Sequence, residues 1–215
     1  FERGRSLEGA LHAKSWDEAA VTGLLLQLLD ALEAIHAQGA LHRDIKPSNI
    51  IVRNDGTAVL IDFGGARDFR ARSSRTVTMI GTLGYAAPEQ LGVEGQQGPW
   101  TDFYALGAVA YRCVTGAPPA DSLRRLRRDP LAPATLAAKG RFSDRLLRAI
   151  DWMLRLEESE RPASAQELRS ALQGTRSAAP APPPGETPPR SALRTGRARR
   201  IGWAGAAALL AAVAA

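Results

Sequence analysis

The stretch LHRDIKPSNIIV, from Leu41 to Val52, decides how this chain is read. His42, Arg43, Asp44, Lys46 and Asn49 crowd one short segment directly before Ile50, Ile51 and Val52. The β-branched run predicts a buried strand, and the polar residues predict the loop that feeds it. Packing alone gives no reason to gather an acid, an amide and three nitrogen bases there. The loop is therefore the first candidate for chemistry.

Upstream, Ser15, Trp16, Asp17 and Glu18 read as a capping box, with Ser15 and Glu18 satisfying opposite orphan amides. Val21, Leu24, Leu25, Leu28, Leu32 and Ile35 then recur at helical spacing, and Gly39 ends the run. Downstream, NIIV (Asn49 to Val52) and AVLI (Ala58 to Ile61) flank Asn54, Asp55 and Gly56, a hairpin signal. Arg67 to Thr78 is polar and aperiodic, which predicts a loop. Thr101 to Thr115 is apolar nearly all round and predicts a central buried helix closed by Gly116 and Pro118. Ser143 can cap a helix to about Leu156, and Ser164 with Glu167 forms a capping box for a last helix ending near Leu172. The fold class expected is mainly α with a short β-hairpin.

Composition sets the limits. With 215 residues, 45% of them apolar, the chain can bury a real core. Its net charge is +6, but six arginines and one glutamate lie from Arg176 onward, which leaves the globular part almost neutral. No basic stripe with interleaved aromatics is visible there, so nucleic acid is not an expected partner. The single cysteine, Cys113, excludes an intramolecular disulfide and reads as a buried structural thiol. The chain starts at Phe1 and stops within an apolar run, so it is expected to be a segment of a longer protein, with no signal peptide before the folded part.

Beyond Gln173 the sequence GTRSAAPAPPPGETPP cannot bury apolar surface and reads as a linker, placed at residues 175–200. Arg194, Arg197, Arg199 and Arg200 then precede IGWAGAAALLAAVAA, residues 201–215, expected to begin a transmembrane helix. Arginines on that flank place the globular part in the cytoplasm, anchored through its C-terminal side.

Order and spacing extend the pattern of the polar loop. Asp62-Phe63-Gly64 follows Asp44 by eighteen residues, and Ala87-Pro88-Glu89 comes further on. With GTLGYAAPEQ (Gly81 to Gln90), TDFYALG (Thr101 to Gly107) and ERPASAQEL (Glu160 to Leu168), the chain resembles the serine/threonine protein kinase family, in particular its bacterial membrane-anchored type. Ile45 stands where the family pattern has leucine. The resemblance implies a protein-kinase-like fold, C-terminal lobe only, over residues 1–174.

The resemblance also implies roles. Asp44 orients a substrate hydroxyl and accepts its proton, and Lys46 lies near the transferring phosphate. Asn49 and Asp62 hold two magnesium ions, and Ile51 forms an apolar floor under the adenine of ATP. Lys46, with Thr82 in the docking segment, favours Ser/Thr over Tyr in the protein substrate. His42, Phe63 and Gly64 read as packing and turn residues, Glu89 and Arg161 as a buried ion pair, and Asp102 as an anchor for the loop's backbone. Arg43 beside the catalytic aspartate suggests control by phosphorylation at Ser73, Ser74, Thr76 or Thr78.

One part of the family's equipment has no match in these residues: the Gly-rich loop, the strand lysine and the helix glutamate of an N-terminal lobe. Two readings stay open on that ground. Either the chain is a piece of an active enzyme, itself a poor catalyst, or it is a non-catalytic C-lobe that binds a partner. The intact set Asp44, Lys46, Asn49 and Asp62 favours the first, because a pure binding module has no chemical need for it.

Overall fold

The computed structural model describes residues 4–13, 16–62, 67–68, 84–92 and 95–175. Phe63, Gly64, Ser73, Ser74, Thr76, Thr78 and Thr82, the linker from residue 176 and the expected membrane segment lie outside the described residues. In chain order the elements are β1 (Arg5–Ser6), α1 (Leu7–Ala13), α2 (Glu18–Ala37), β2 (Ala40–Leu41), β3 (Ile50–Val52), β4 (Ala58–Leu60) and β5 (Arg67–Asp68). These are followed by α3 (Pro99–Thr115), α4 (Ser122–Arg127), α5 (Ala134–Ala137), α6 (Asp144–Met153) and α7 (Ala165–Gln173).

The apolar stripe of α2 buries Val21, Leu24, Leu25, Leu28, Leu29 and Leu32. Each fully buried leucine is favoured by about 1.5–3 kcal/mol over an exposed one. By length and hydropathy α2 could cross a bilayer, but it packs between α3, α7 and β4 as a core helix. The expected hairpin is present, with Ile50 opposite Leu60, Ile51 opposite Val59 and Val52 opposite Ala58. Gln27 on α2 accepts from the Ala58 amide at 2.7 Å and so fastens the hairpin to the core.

Helix α3 is buried almost all round, as its sequence predicts. Pro99 sits at its first turn, where a missing amide proton costs nothing. Gly107 faces α6 so closely that a Cβ there would stand 2.6 Å from Met153 Cβ. The helix closes on Gly116, which adopts φ 88°.

The structure corrects the sequence reading in three places. The cap of α2 is Asp17, whose carboxylate accepts from the Ala20 amide at 2.8 Å; Ser15, the expected cap, lies outside the described residues. Glu18 instead accepts from the backbone and hydroxyl of Ser143, at the start of α6. The segment read as loop from Arg67 opens with β5, which pairs antiparallel with β2; two residues are too few to carry a periodic signal. The third concerns α6, which ends at Met153, short of Leu156.

The expected ion pair is fully buried: Arg161 Nη1 and Nη2 reach Glu89 at 2.7 and 3.0 Å. Arg161 also donates to the carbonyls of Arg155 and Leu156, and its guanidinium lies 4.9 Å from the Tyr104 ring centroid. Removing one partner leaves a buried charge uncompensated. Arg161→Met should therefore cost about 3–5 kcal/mol in urea unfolding, whereas Arg169→Met, at an exposed pair with Asp30, should change stability by under about 1 kcal/mol. Burial also pushes the Cys113 thiol up to about 12. At pH 8 the native chain should resist thiol-specific labelling, with reaction appearing only on unfolding.

Candidate active site

Residues 42–49 carry little regular structure, so tertiary contacts must hold them. The carboxylate of Asp102 on α3 is fully buried. It accepts from the His42 amide at 2.9 Å, the Arg43 amide at 2.8 Å and the His36 ring Nε2 at 2.8 Å. On the far side Gln90 Nε2 donates to the Arg43 carbonyl at 2.8 Å. Between these two holds Arg43 takes φ 66°, an unfavourable region for a residue with a Cβ.

The His42 ring is buried and bridges the loop to the segment after β4. Its Nδ1 lies 3.3 Å from the Asp44 amide, and its Nε2 lies 3.2 Å from the Ile61 carbonyl. An amide can only donate and a carbonyl can only accept, so Nδ1 is bare and Nε2 carries the proton. Burial holds the imidazole below its usual range, against the opposing pull of Asp102, the Ile61 carbonyl, Asp44 and Asp62.

Asp44, half-buried, points its Oδ2 at two donors: Lys46 Nζ at 2.8 Å and Asn49 Nδ2 at 2.9 Å. The same Asn49 nitrogen reaches the Asp44 carbonyl at 2.8 Å. Asn49 is buried in a short 3₁₀ turn, Pro47–Asn49, packed on α1. Its nitrogen end is committed to Asp44, which leaves Oδ1 as an oxygen donor. Ile61 N donates to Asn49 O at 2.9 Å, prolonging the hairpin and setting Asp62 next in line. Asp62 is exposed and also has positive φ, at 64°.

The loop therefore brings together Asp44, Lys46 and Asn49, with Asp62 at the adjoining strand end. An amide oxygen and a carboxylate suit a hard cation such as magnesium, which needs few protein ligands when phosphates and water complete its shell. Among the described residues no cluster of three or more His, Cys, Asp or Glu could hold a metal by itself. Ile51, half-buried on β3, faces Gly4, where a Cβ would stand 2.6 Å from Ile51 Cγ2.

Sequence reasoning missed His36 and Gln90, which hold the loop, and the cluster of Glu8, Tyr85 and Arg112. Arg112 donates to Glu8 and, at 2.9 Å, to the Tyr85 hydroxyl, so α1, α3 and the segment before Ala87 are tied together. Only the position of His36 in the last turn of α2, six residues before His42, hinted at its role.

Comparison with known proteins follows the same lines. A family model described as the protein kinase domain matches residues 1–172. The serine/threonine-protein kinase PknD of Mycobacterium tuberculosis is 37% identical over 161 residues, covering 71% of this chain and 24% of PknD. Pkn1 of Myxococcus xanthus is 37% identical over 172 residues, 72% of this chain and 24% of Pkn1. A solved structure titled PpkA-294 apo form shares 36% identity with a TM-score of 0.68, over 80% of this chain and 61% of that one. The chain thus spans about a quarter of the length of these curated relatives. With its mainly helical, C-lobe-like architecture and a match over residues 1–172, the chain belongs to the protein kinase family.

Proposed function

We propose that this chain is the C-terminal lobe of a protein serine/threonine kinase and supplies its catalytic loop. The observation that carries this reading is the arrangement at Asp44: one carboxylate oxygen held by Lys46 and Asn49, the other left for an incoming hydroxyl. Asp44 Oδ1 orients the Ser or Thr hydroxyl and takes its proton as the oxygen bonds to the γ-phosphorus of ATP and the bond to the β-phosphate oxygen breaks. Lys46, beside it, places positive charge where the transferring group passes. Asn49 Oδ1 and the Asp62 carboxylate are the residues that would hold two magnesium ions, which supply charge neutralisation for the phosphates when bound. Ile51 offers an apolar surface to the adenine ring.

The fixed backbone matters because phosphoryl transfer depends mainly on positioning. The reading requires a Gly-rich loop, a strand lysine and a helix glutamate from outside these 215 residues, so the chain alone transfers phosphate at background rates. Phosphorylation at Ser73, Ser74, Thr76 or Thr78, read out through Arg43, is the proposed control. The arginines before residue 201 and the apolar run after it support anchoring of the lobe at the cytoplasmic face of a membrane. The competing reading, a non-catalytic C-lobe that binds a partner, is disfavoured by the intact polar set around Asp44.

The test uses protein expressed from the complete gene, with labelled ATP and matched Ser, Thr and Tyr peptides. Phosphate should enter the Ser and Thr peptides only, and Asp44→Asn should lower kcat by about 10²–10⁴-fold while the protein stays folded. Equal turnover by Asp44→Asn, or incorporation into Tyr alone, would contradict the reading.

A further inference from the structure

Among the described residues the exposed large hydrophobics are Leu126 and Leu136, and both lie in the α4–α5 segment. Leu126 sits within the sequence SLRRLRRD, whose Arg124, Arg127 and Arg128 are exposed and make no ion pair among the described residues. The nearby acids make their hydrogen bonds elsewhere. Asp121 caps α4 by accepting from the Arg124 amide, and Asp129 is engaged by the buried Arg125 and by the Leu131 amide. Three exposed cations are thus presented around one exposed leucine, on α4 and its C-cap.

The position of this patch is fixed. Ser122 at the start of α4 donates to the Ala86 carbonyl at 2.8 Å within the buried core. Arg125 anchors the next turn by donating to the Tyr104 hydroxyl and the Leu154 carbonyl at 3.1 and 3.0 Å. Ala86 belongs to the segment that runs through Glu89 to Gln90, and Gln90 holds the Arg43 carbonyl beside Asp44. Helix α4 is therefore rigidly continuous with the backbone that borders the reacting centre.

We infer that Arg124, Arg127 and Arg128 with Leu126 form a docking surface for an acidic, leucine-containing segment of the protein substrate, remote from its phosphorylated residue. The inference rests on the kinase reading above and adds the substrate class. Charge complementarity selects an acidic partner, and the rigid link from α4 through Ala86 to Gln90 selects the substrate as its source. Exposed pairs are individually weak, but three acting together on one short peptide supply about tenfold in affinity at low salt.

The experiment compares two peptides sharing one Ser-containing core, one joined to a flank of Asp, Glu and Leu, the other with those acids replaced by Gln. For the protein from the complete gene, the acidic peptide should show about tenfold higher kcat/KM, carried by KM and lost at high salt. The triple variant Arg124→Ser, Arg127→Ser, Arg128→Ser should bring the ratio to about one, while Arg148→Ser on α6 should leave it in place. Fluorescence polarisation with a Ser→Ala acidic peptide reads docking without catalysis. Binding that the triple variant abolishes, without phosphate transfer to any peptide, would uphold the docking surface and sink the kinase reading. Transfer with equal ratios in native protein and triple variant would overturn the docking surface and leave the kinase reading standing. Loss in the triple variant of binding to phosphatidylserine vesicles, with peptide ratios unchanged, would reassign the patch to a membrane and also overturn it.

Discussion

The carboxylate of Asp102 stands in the middle of the helical body with no exposure to solvent, and three donors converge on it. An unpaired charge in that position would be costly, so the acid is tolerated only because the His42 and Arg43 amides and the His36 ring satisfy it. Two of those donors are consecutive backbone amides of a loop with almost no regular structure of its own. The energetics run both ways: the loop stabilises the buried acid, and the acid fixes the loop. Helix α3, the most deeply buried element, thereby sets the path of the chain that leads into Asp44.

Strain is what this arrangement holds in place. Arg43 and Asp62 are the non-glycine residues with positive φ among those described, and they lie on the two segments that form the candidate site. A left-handed conformation at a residue with a Cβ costs of order 1–3 kcal/mol and persists only where neighbours over-determine it. At Arg43 the neighbours are Asp102 on one side and Gln90 on the other. Gln90 follows Glu89, which Arg161 fixes from seventy-two residues away. The Glu89–Arg161 pair is therefore an indirect support of the loop as well as a structural pair, since it holds the segment from which Gln90 reaches back.

Much of this was legible in the sequence where a residue's chemistry is local. The loop residues, the hairpin around Asn54 to Gly56, the caps at Ser143 and Ser164 and the all-round apolar α3 each announce themselves within a few positions. What stayed hidden depends on distant partners. Asp17 is the cap of α2, while Glu18 accepts from Ser143, 125 residues on. Helix α4 carries a buried arginine where periodicity expects an apolar residue, and that arginine is satisfied by Tyr104, Leu154 and Asp129. Helix α5 has four residues and takes its cap from Asp151, which accepts from the Ala134 and Thr135 amides. The part played by His36 depends likewise on α3, which places Asp102 against its ring.

The two segments of the site meet in one side chain. His42 accepts from the Asp44 amide through Nδ1 and donates to the Ile61 carbonyl through Nε2, one residue before Asp62. Only the neutral ring, protonated at Nε2, can do both. A second proton on Nδ1 would set a donor against a donor at Asp44 and place a charge in the core. Burial holds the folded pKa below the ordinary value of 6.5, so the neutral ring's contribution is complete above that value. It is lost as acidification lowers the pH through 6.5 towards the folded pKa, because the unfolded chain then binds the proton that the folded one refuses. The same burial that makes His42 look like a packing residue thus keeps it in the one state that aligns Asp44 with Asp62.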